Sequence, residues 1–450
     1  MATDEAQQRG ERGGAAAESG PLVVPAVEQR GRLIRLKINR FRNVVSGTEL
    51  YFDEGVNILL GRNGTGKTTL LELIAAVVRG DLRAYERHEF DIEFDLLFGG
   101  LSWMVEVRSS LSNSKSPKGV TKPSWYYRVR VEDAGEKIFA TSVESARANG
   151  EQFSPFDLQF YVGGALAPSY AAERKRRIWS SISSQLIILG NCLRLDEGLD
   201  IFRCITGHEP LPGLGIPMLL YVPSEGLKLS PDNKADRTKA LEILSHTTYI
   251  PPSVIDVASP QMDQLQGRME IDFDAEQLEF ISTAIDLLRV KELRLRMRLM
   301  HSEQRGHGGA YSAFGRPAFW ITTHQGSTFT HERLSYGEKR LLAFLYHAAA
   351  NPDILVADEL VNGLHYEWIQ ACLDSIRGQA FLTSQNPLLI DHLPFSSAAE
   401  VQRRFVLCDR DEQGNWSWRN MSSDDADAFF RAYEVGIQHV SEILETRGLW

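Results

Sequence analysis

Residues 33–38, Leu-Ile-Arg-Leu-Lys-Ile, alternate apolar and polar positions, the period-two pattern of a strand with one buried face. Val-Asn-Ile-Leu-Leu at 56–60 is a short apolar run of the kind a central strand covered on both faces requires. Leu70 to Val78 is apolar, Ala-rich and free of Gly and Pro, which predicts a helix. Phe90–Leu97, Ser102–Val107 and Trp125–Val131 alternate again between Gly, Ser, Lys and Pro breaks, predicting strands. Farther on, 155–170 reads as a loop, Ile178–Leu195 as a helix and Met218–Val222 as a short buried strand. Leu278, Ile281, Ile285, Leu288, Leu295 and Leu299 fall at spacings of three, four and seven. They predict one long helix over about 275–300, interrupted at Glu292 and more an ordinary packed helix than a coiled-coil stub. A Gly-rich loop from His301 to Pro317, with His307 in it, follows. Glu338–Ala350 reads as a helix, Phe405–Cys408 as the last strand, and Asp424–Glu445 as a terminal helix ahead of Trp450, which reads first as a packing anchor and second as a docking peptide for another subunit.

Between the strand at 56–60 and the helix at 70 stands Gly61-Arg-Asn-Gly-Thr-Gly-Lys-Thr68, which fits the phosphate-binding pattern G-x-x-x-x-G-K-[ST]. Gly61, Gly64 and Gly66 let the backbone curl so that its N–H groups face phosphate oxygens, and Asn63, Thr65 and Thr69 complete the nucleotide-binding set. Lys67 reaches the β and γ phosphates, and Thr68 offers Mg²⁺ a hard hydroxyl ligand. Strand, loop and helix occur in the order that puts phosphates at a helix N-terminus, where backbone donors and the macrodipole favour anions. Ile354-Leu-Val-Ala-Asp-Glu359 is an apolar strand ending in two carboxylates. Asp358 is placed to hold the Mg²⁺ hydration shell, and Glu359 to orient and deprotonate an attacking water. Leu334-Ser-Tyr-Gly-Glu338 opens another helix, so Ser335 and Gly337 form a second anion-binding N-terminus. One γ-phosphate cannot easily use two such sites from one chain, which implies that a partner chain supplies the second.

With these motifs the chain resembles an AAA-family, ABC-type ATPase of the RecF/SMC/OLD-like branch. Leu36-Lys-Ile-Asn-Arg-Phe-Arg-Asn43 is similar to the opening strand and turn of that branch, and Asp358-Glu-Leu-Val-Asn-Gly-Leu-His-Tyr-Glu-Trp368 to its Walker B and following segment. The resemblance implies an α/β P-loop NTPase fold: an ABC ATPase head with a mixed central sheet, an antiparallel β subdomain and a helical insertion. It implies ATP and Mg²⁺ as cofactors, and two heads stacked head to tail, with Ser335 and Gly337 of one closing over ATP on the other. The family's switch His, in a string like Thr-His-Ser-Pro, is replaced: Phe381-Leu-Thr-Ser-Gln-Asn-Pro387 puts Gln385 there. A Gln amide can donate to a γ-phosphate but cannot become cationic, so slow turnover is expected. The family's Gln-bearing loop to Mg²⁺ has no clear counterpart; Gln152 and Gln159 are merely near the right place.

The expected organisation is a disordered tail over 1–30, a nucleotide-binding core from 31–85 and 318–420, an antiparallel β subdomain at 86–140, a helical or mixed insertion at 141–317 and a C-terminal helix at 421–450. The phosphate loop and the Leu-Ser-Tyr-Gly-Glu string lie about 270 residues apart, too few for the heptad arms of long SMC-like proteins. About 60 residues follow Asp391, fewer than the Toprim domain that OLD nucleases append, so no nuclease activity is expected in this chain. The composition, 43% hydrophobic and 24% charged, is that of an ordinary globular chain. No run of about 18 apolar residues predicts a membrane span. Cys192, Cys204, Cys372 and Cys408 form no C-x-x-C pair, and with no signal-peptide pattern a reduced, cytoplasmic protein is expected. A net charge of −10, from 59 acidic and 49 basic residues, does not draw nucleic acid to the surface as a whole. Arg174–Arg177 and the run Arg289, Lys291, Arg294, Arg296, Arg298 read first as solvated faces.

Two functional readings follow. In the first, the chain is an ATP-driven switch that forms a homodimer or larger homo-oligomer and controls a separate effector protein, a nuclease or toxin; stand-alone heads of this size resemble the ATPase components of anti-phage systems such as PARIS and Septu. In the second, it is a RecF-like DNA-repair or DNA-end-binding ATPase, with the basic runs on duplex phosphates.

Overall fold

The computed structural model describes residues 31–79, 82, 85, 88–98, 101–115, 121–133, 135–144, 218–221, 251, 253, 254, 257, 268–304, 310–360, 363–383, 388–436 and 439–446. The chain enters through β1 (Arg32–Phe41) and β2 (Thr48–Tyr51), continues into β3 (Val56–Leu60), and passes through the glycine loop into α1 (Lys67–Arg79). β4 (Phe90–Phe98), β5 (Leu101–Lys115), β6 (Thr121–Asp133) and β7 (Glu136–Glu144) then form an antiparallel sheet in the order β2-β1-β4-β5-β6-β7. β1 and β2, which the sequence groups with the nucleotide-binding core, therefore pair into the antiparallel layer. Gln379 ties the layers together: its amide, 2% exposed, exchanges two 2.8 Å hydrogen bonds with the backbone of Leu33 and donates to Asp53 O at 2.7 Å.

A second antiparallel sheet comes from β8 (Met218–Tyr221), β9 (Glu270–Phe273), β10 (Glu292–Gln304), β11 (Ala310–Thr322) and β12 (Thr328–Thr330), with α2 (Glu279–Leu288) between β9 and β10. The long helix expected over 275–300 is thus half helix and half strand. α2 stops at Arg289, which takes the left-handed conformation (φ 53) and returns its N–H to Ile285 O. Beyond it Leu293, Leu295 and Met297 are fully buried and alternate with Arg294, Arg296 and Arg298. Leu295 and Leu299 fit a helical stripe and a strand equally well; Leu293 and Met297 fit only period two, and that pattern prevails. The expected loop from His301 to Pro317 is likewise corrected: most of it lies in β10 and β11, which pair out to Gln304 opposite Ala310. His307 lies outside the described residues.

The third sheet carries the candidate site. β13 (Ile354–Ala357), β14 (Gln379–Thr383), β15 (Phe405–Arg410) and β16 (Trp416–Asn420) join β3 in the order β13-β14-β3-β15-β16. The first four run parallel and β16 antiparallel, a mixed sheet. Ile58, Leu59 and Leu60 are fully buried, as the apolar run requires. α3 (Tyr336–Ala350), α4 (Tyr366–Asp374), α5 (Leu388–Asp391) and α6 (Ala398–Arg404) accompany this sheet. The strand at Phe405 is not the last, because Asn415 turns the chain back into β16. The expected terminal helix is two: α7 (Ser423–Val435) ends at Gly436 in the left-handed conformation (φ 65), and α8 (Val440–Thr446) follows. The readings for 155–170, Ile178–Leu195, Arg174–Arg177, Gln152, Gln159, Cys192, Cys204 and Trp450 fall outside the described residues.

Candidate nucleotide-binding site

The glycine loop leaves the C-terminal end of β3 and enters α1, whose first turn holds no acidic residue to compete with an anion. Asn63 and Gly64 are exposed at the mouth of the loop, Thr69 is half-buried, and Thr65 is buried with its hydroxyl donated to Arg62 O at 2.8 Å. Lys67 is only 7% exposed, and its ammonium donates to Gly61 O at 2.7 Å and Arg62 O at 3.2 Å. The loop is thus already wrapped around the cation that a phosphate would meet.

β14 lies between β3 and β13, so Thr383 at its end stands between the loop and the strand-end carboxylates. Thr68 Oγ1 donates to Asp358 Oδ2 at 2.9 Å, and Thr383 Oγ1 donates to the other oxygen of Asp358. Thr383 also accepts the N–H of Glu359 at 3.0 Å. Thr68 and Asp358 present adjacent hard oxygens and fit Mg²⁺, which keeps most of its waters and takes one or two protein ligands. No larger cluster of His, Cys, Asp and Glu suited to a metal occurs among the described residues.

Ser335 caps α3 through a reciprocal capping box: Glu338 N donates to Ser335 Oγ at 3.4 Å, and Ser335 N donates to Glu338 Oε2 at 2.7 Å. Ser335 is exposed, while Gly337 packs against the segment after Glu359; a Cβ there would come within 2.8 Å of Gly363 O. The structure therefore brings Lys67, Thr68, Asp358 and Glu359 together and seats Gly337 against Gly363 and Trp368, with Ser335 exposed at the start of the same helix. Gln385 lies outside the described residues.

Several residues of the site have no motif to announce them. Trp416 and Trp418 stack at 5.8 Å on one face of β16, and their indole N–H groups donate to Gly64 O at 3.1 Å and Thr65 O at 3.0 Å. Gly66, at φ +84, lies so close that a Cβ would meet the Trp416 ring at 2.7 Å. The available signal is Trp-Ser-Trp itself, two aromatics at strand spacing. Thr383 and Arg340, whose guanidinium donates to Glu359 O at 2.6 Å, are the other two; each is a polar residue ending or flanking an apolar run. Behind the site His347 of α3 faces Val356 O at 3.3 Å, and full burial depresses its pKa to about 4.

Family models match most of the chain in two stretches. A model described as AAA domain matches residues 35–188, and one described as AAA domain, putative AbiEii toxin, Type IV TA system matches 199–391. The DNA replication and repair protein RecF of Teredinibacter turnerae is 45% identical over 58 residues, 13% of this chain and 15% of that protein. The DNA double-strand break repair Rad50 ATPase of Thermoplasma acidophilum is 30% identical over 79 residues, 16% of this chain and 9% of that protein. Among solved structures, the SMC head domain from Thermotoga maritima is 13% identical with a TM-score of 0.34, covering 87% of this chain and 99% of that one. The recombination mediator RecF bound to ATPrS is 14% identical with a TM-score of 0.28, covering 80% and 93%. At such scores the fold assignment stands on the loop, the strand order and the family models. Together these give the chain two stretches that match AAA-domain models, on a glycine loop and a mostly parallel sheet of the P-loop NTPase kind.

Proposed function

We propose that this chain is an ATP-driven switch that binds and slowly hydrolyses ATP, closes head to tail with a second copy around it, and thereby controls a separate effector protein. The observation that carries the reading is the meeting of Thr68 and Asp358 at 2.9 Å beside the buried Lys67. Lys67 binds phosphate oxygens, Thr68 and Asp358 hold the metal, and Glu359 takes a proton from water. Mg²⁺ held there would supply positive charge against the phosphates of ATP. Ser335 and Gly337, at an exposed helix N-terminus, suit a phosphate presented by a second copy. Control of an effector in anti-phage defence draws on the resemblance above and on the description of the model matching 199–391.

A RecF-like role at DNA is the second reading, favoured by the 58-residue match to RecF. The basic strand speaks against its phosphate contacts lying there. Arg296 forks onto Asp272 at 2.6 and 2.7 Å, Arg298 pairs with Glu270 at 3.2 Å, and Arg294 pairs with Glu292. The test is ATP hydrolysis by purified protein with and without duplex DNA. Hydrolysis abolished by Lys67→Ala and indifferent to DNA supports the switch; salt-sensitive stimulation by DNA supports the RecF-like role.

A further inference from the structure

Glu359 is one of three non-glycine residues with positive φ among the described residues, at +54, a conformation disfavoured for any side chain with a Cβ. Both flanking peptide groups are held. The N–H donates to Thr383 Oγ1 at 3.0 Å, and the C=O accepts from Arg340 Nη2 at 2.6 Å; the same nitrogen reaches Leu360 O at 3.3 Å. Arg340 lies in the second turn of α3, the helix that Ser335 caps. Its Nη1 donates to Tyr336 Oη at 3.2 Å. Tyr336 in turn blocks any Cβ at Gly363, which would come within 2.9 Å of its ring. The start of α3 is therefore joined to Glu359 and Leu360 by hydrogen bonds and to Gly363 by backbone contact.

We infer that Arg340 is a positioning residue: it fixes the left-handed backbone of Glu359 and so makes the aim of that carboxylate depend on the position of the Ser335 helix. The inference rests on the ATPase reading for its consequence. In a head-to-tail pair, contact of Ser335 with one nucleotide would set the Glu359 that serves the other. A guanidinium suits the task because one planar group can donate to two successive carbonyls and to Tyr336 together. An ammonium at this position is a point donor and cannot span them.

Two measurements test it. In steady-state kinetics, Arg340→Ala lowers kcat by about 100-fold, the usual cost of a catalytic group displaced by an ångström, with KM for ATP within about twofold. Arg340→Lys, which keeps the charge and most of the packing, recovers less than half of the loss. In nucleotide-free protein, a double-mutant cycle compares the shift in urea midpoint caused by Glu359→Gly with and without Arg340. Glycine accepts positive φ at no cost, so the substitution is more favourable when Arg340 enforces that conformation than in the Arg340→Ala background. The effect of glycine on the unfolded chain cancels between the two arms. Equal midpoint shifts, or an Arg340→Ala enzyme with unchanged kcat, would overturn the inference. A wild-type protein that does not hydrolyse ATP would overturn the ATPase reading instead and leave the cycle to judge the clamp.

Discussion

Thr68 Oγ1 lies 2.9 Å from Asp358 Oδ2 although 290 residues separate them in sequence. The contact exists because one residue lies in the first turn of α1 after β3, the other directly follows β13, and β14 between those strands supplies Thr383. Replacing Thr68 by Val removes the hydroxyl at constant shape. Mg²⁺-dependent ATP affinity, read by calorimetry, should fall about tenfold or more, Thr68→Ser should restore it, and affinity without Mg²⁺ should be unchanged.

Gly66→Ala should damage the loop through contact and conformation together. The new methyl would meet the Trp416 ring at 2.7 Å, at a φ of +84. Overpacking costs about 1–3 kcal/mol and the left-handed backbone about 1–2, so a loss of about 2–5 kcal/mol is expected in urea denaturation. Trp418→Phe tests the same brace from the other side. It keeps an aromatic ring, smaller than the indole, but leaves Thr65 O without the donor now 3.0 Å away, and the lost hydrogen bond alone costs about 1–3 kcal/mol.

Much of this site is legible from the chain alone. The octapeptide at 61, the carboxylates at 358 and the string at 334 each carry chemistry in a fixed local order, and strand–loop–helix periodicity supports them. What periodicity cannot supply is the order of strands. Nothing local to Thr383 says that β14 inserts between β3 and β13, so the hydroxyl that holds Asp358 is invisible until the sheet is assembled. Trp416 escapes for the same reason, since its partner is a glycine loop 352 residues away. The misread helix at 275–300 has another cause: Leu295 and Leu299 satisfy both periods, and only their neighbours Leu293 and Met297 distinguish them.

His347 gives stability a pH dependence of definite sign. Its pKa is about 4 when folded against about 6.5 when unfolded, because burial penalises the charged ring. The unfolded chain therefore takes up this proton first as pH falls. Stability is fully present above about pH 6.5 and declines through the window down to about pH 4, by on the order of 3 kcal/mol. Urea midpoints of wild type minus His347→Gln, measured between pH 7 and 4, should show this decline; parallel curves would contradict it.

Arg294, Arg296 and Arg298 already have acidic partners, and Arg296 also lies 5.0 Å over the Trp320 ring. Replacing all three by Gln should leave any affinity for duplex DNA, and its salt slope, unchanged within about twofold. A slope reduced by about three would place three phosphate contacts on this strand.

The central claim is that ATP binding and pairing of two chains are one event. Light scattering of Glu359→Gln protein with Mg²⁺ and ATP tests it most directly, because the substitution leaves the nucleotide-binding residues intact and removes only the carboxylate assigned to water. The account predicts a dimer or larger homo-oligomer with ATP, a monomer with ADP, and loss of the ATP-dependent assembly on adding Ser335→Arg. A Glu359→Gln chain that is saturated with ATP and still monomeric would contradict it.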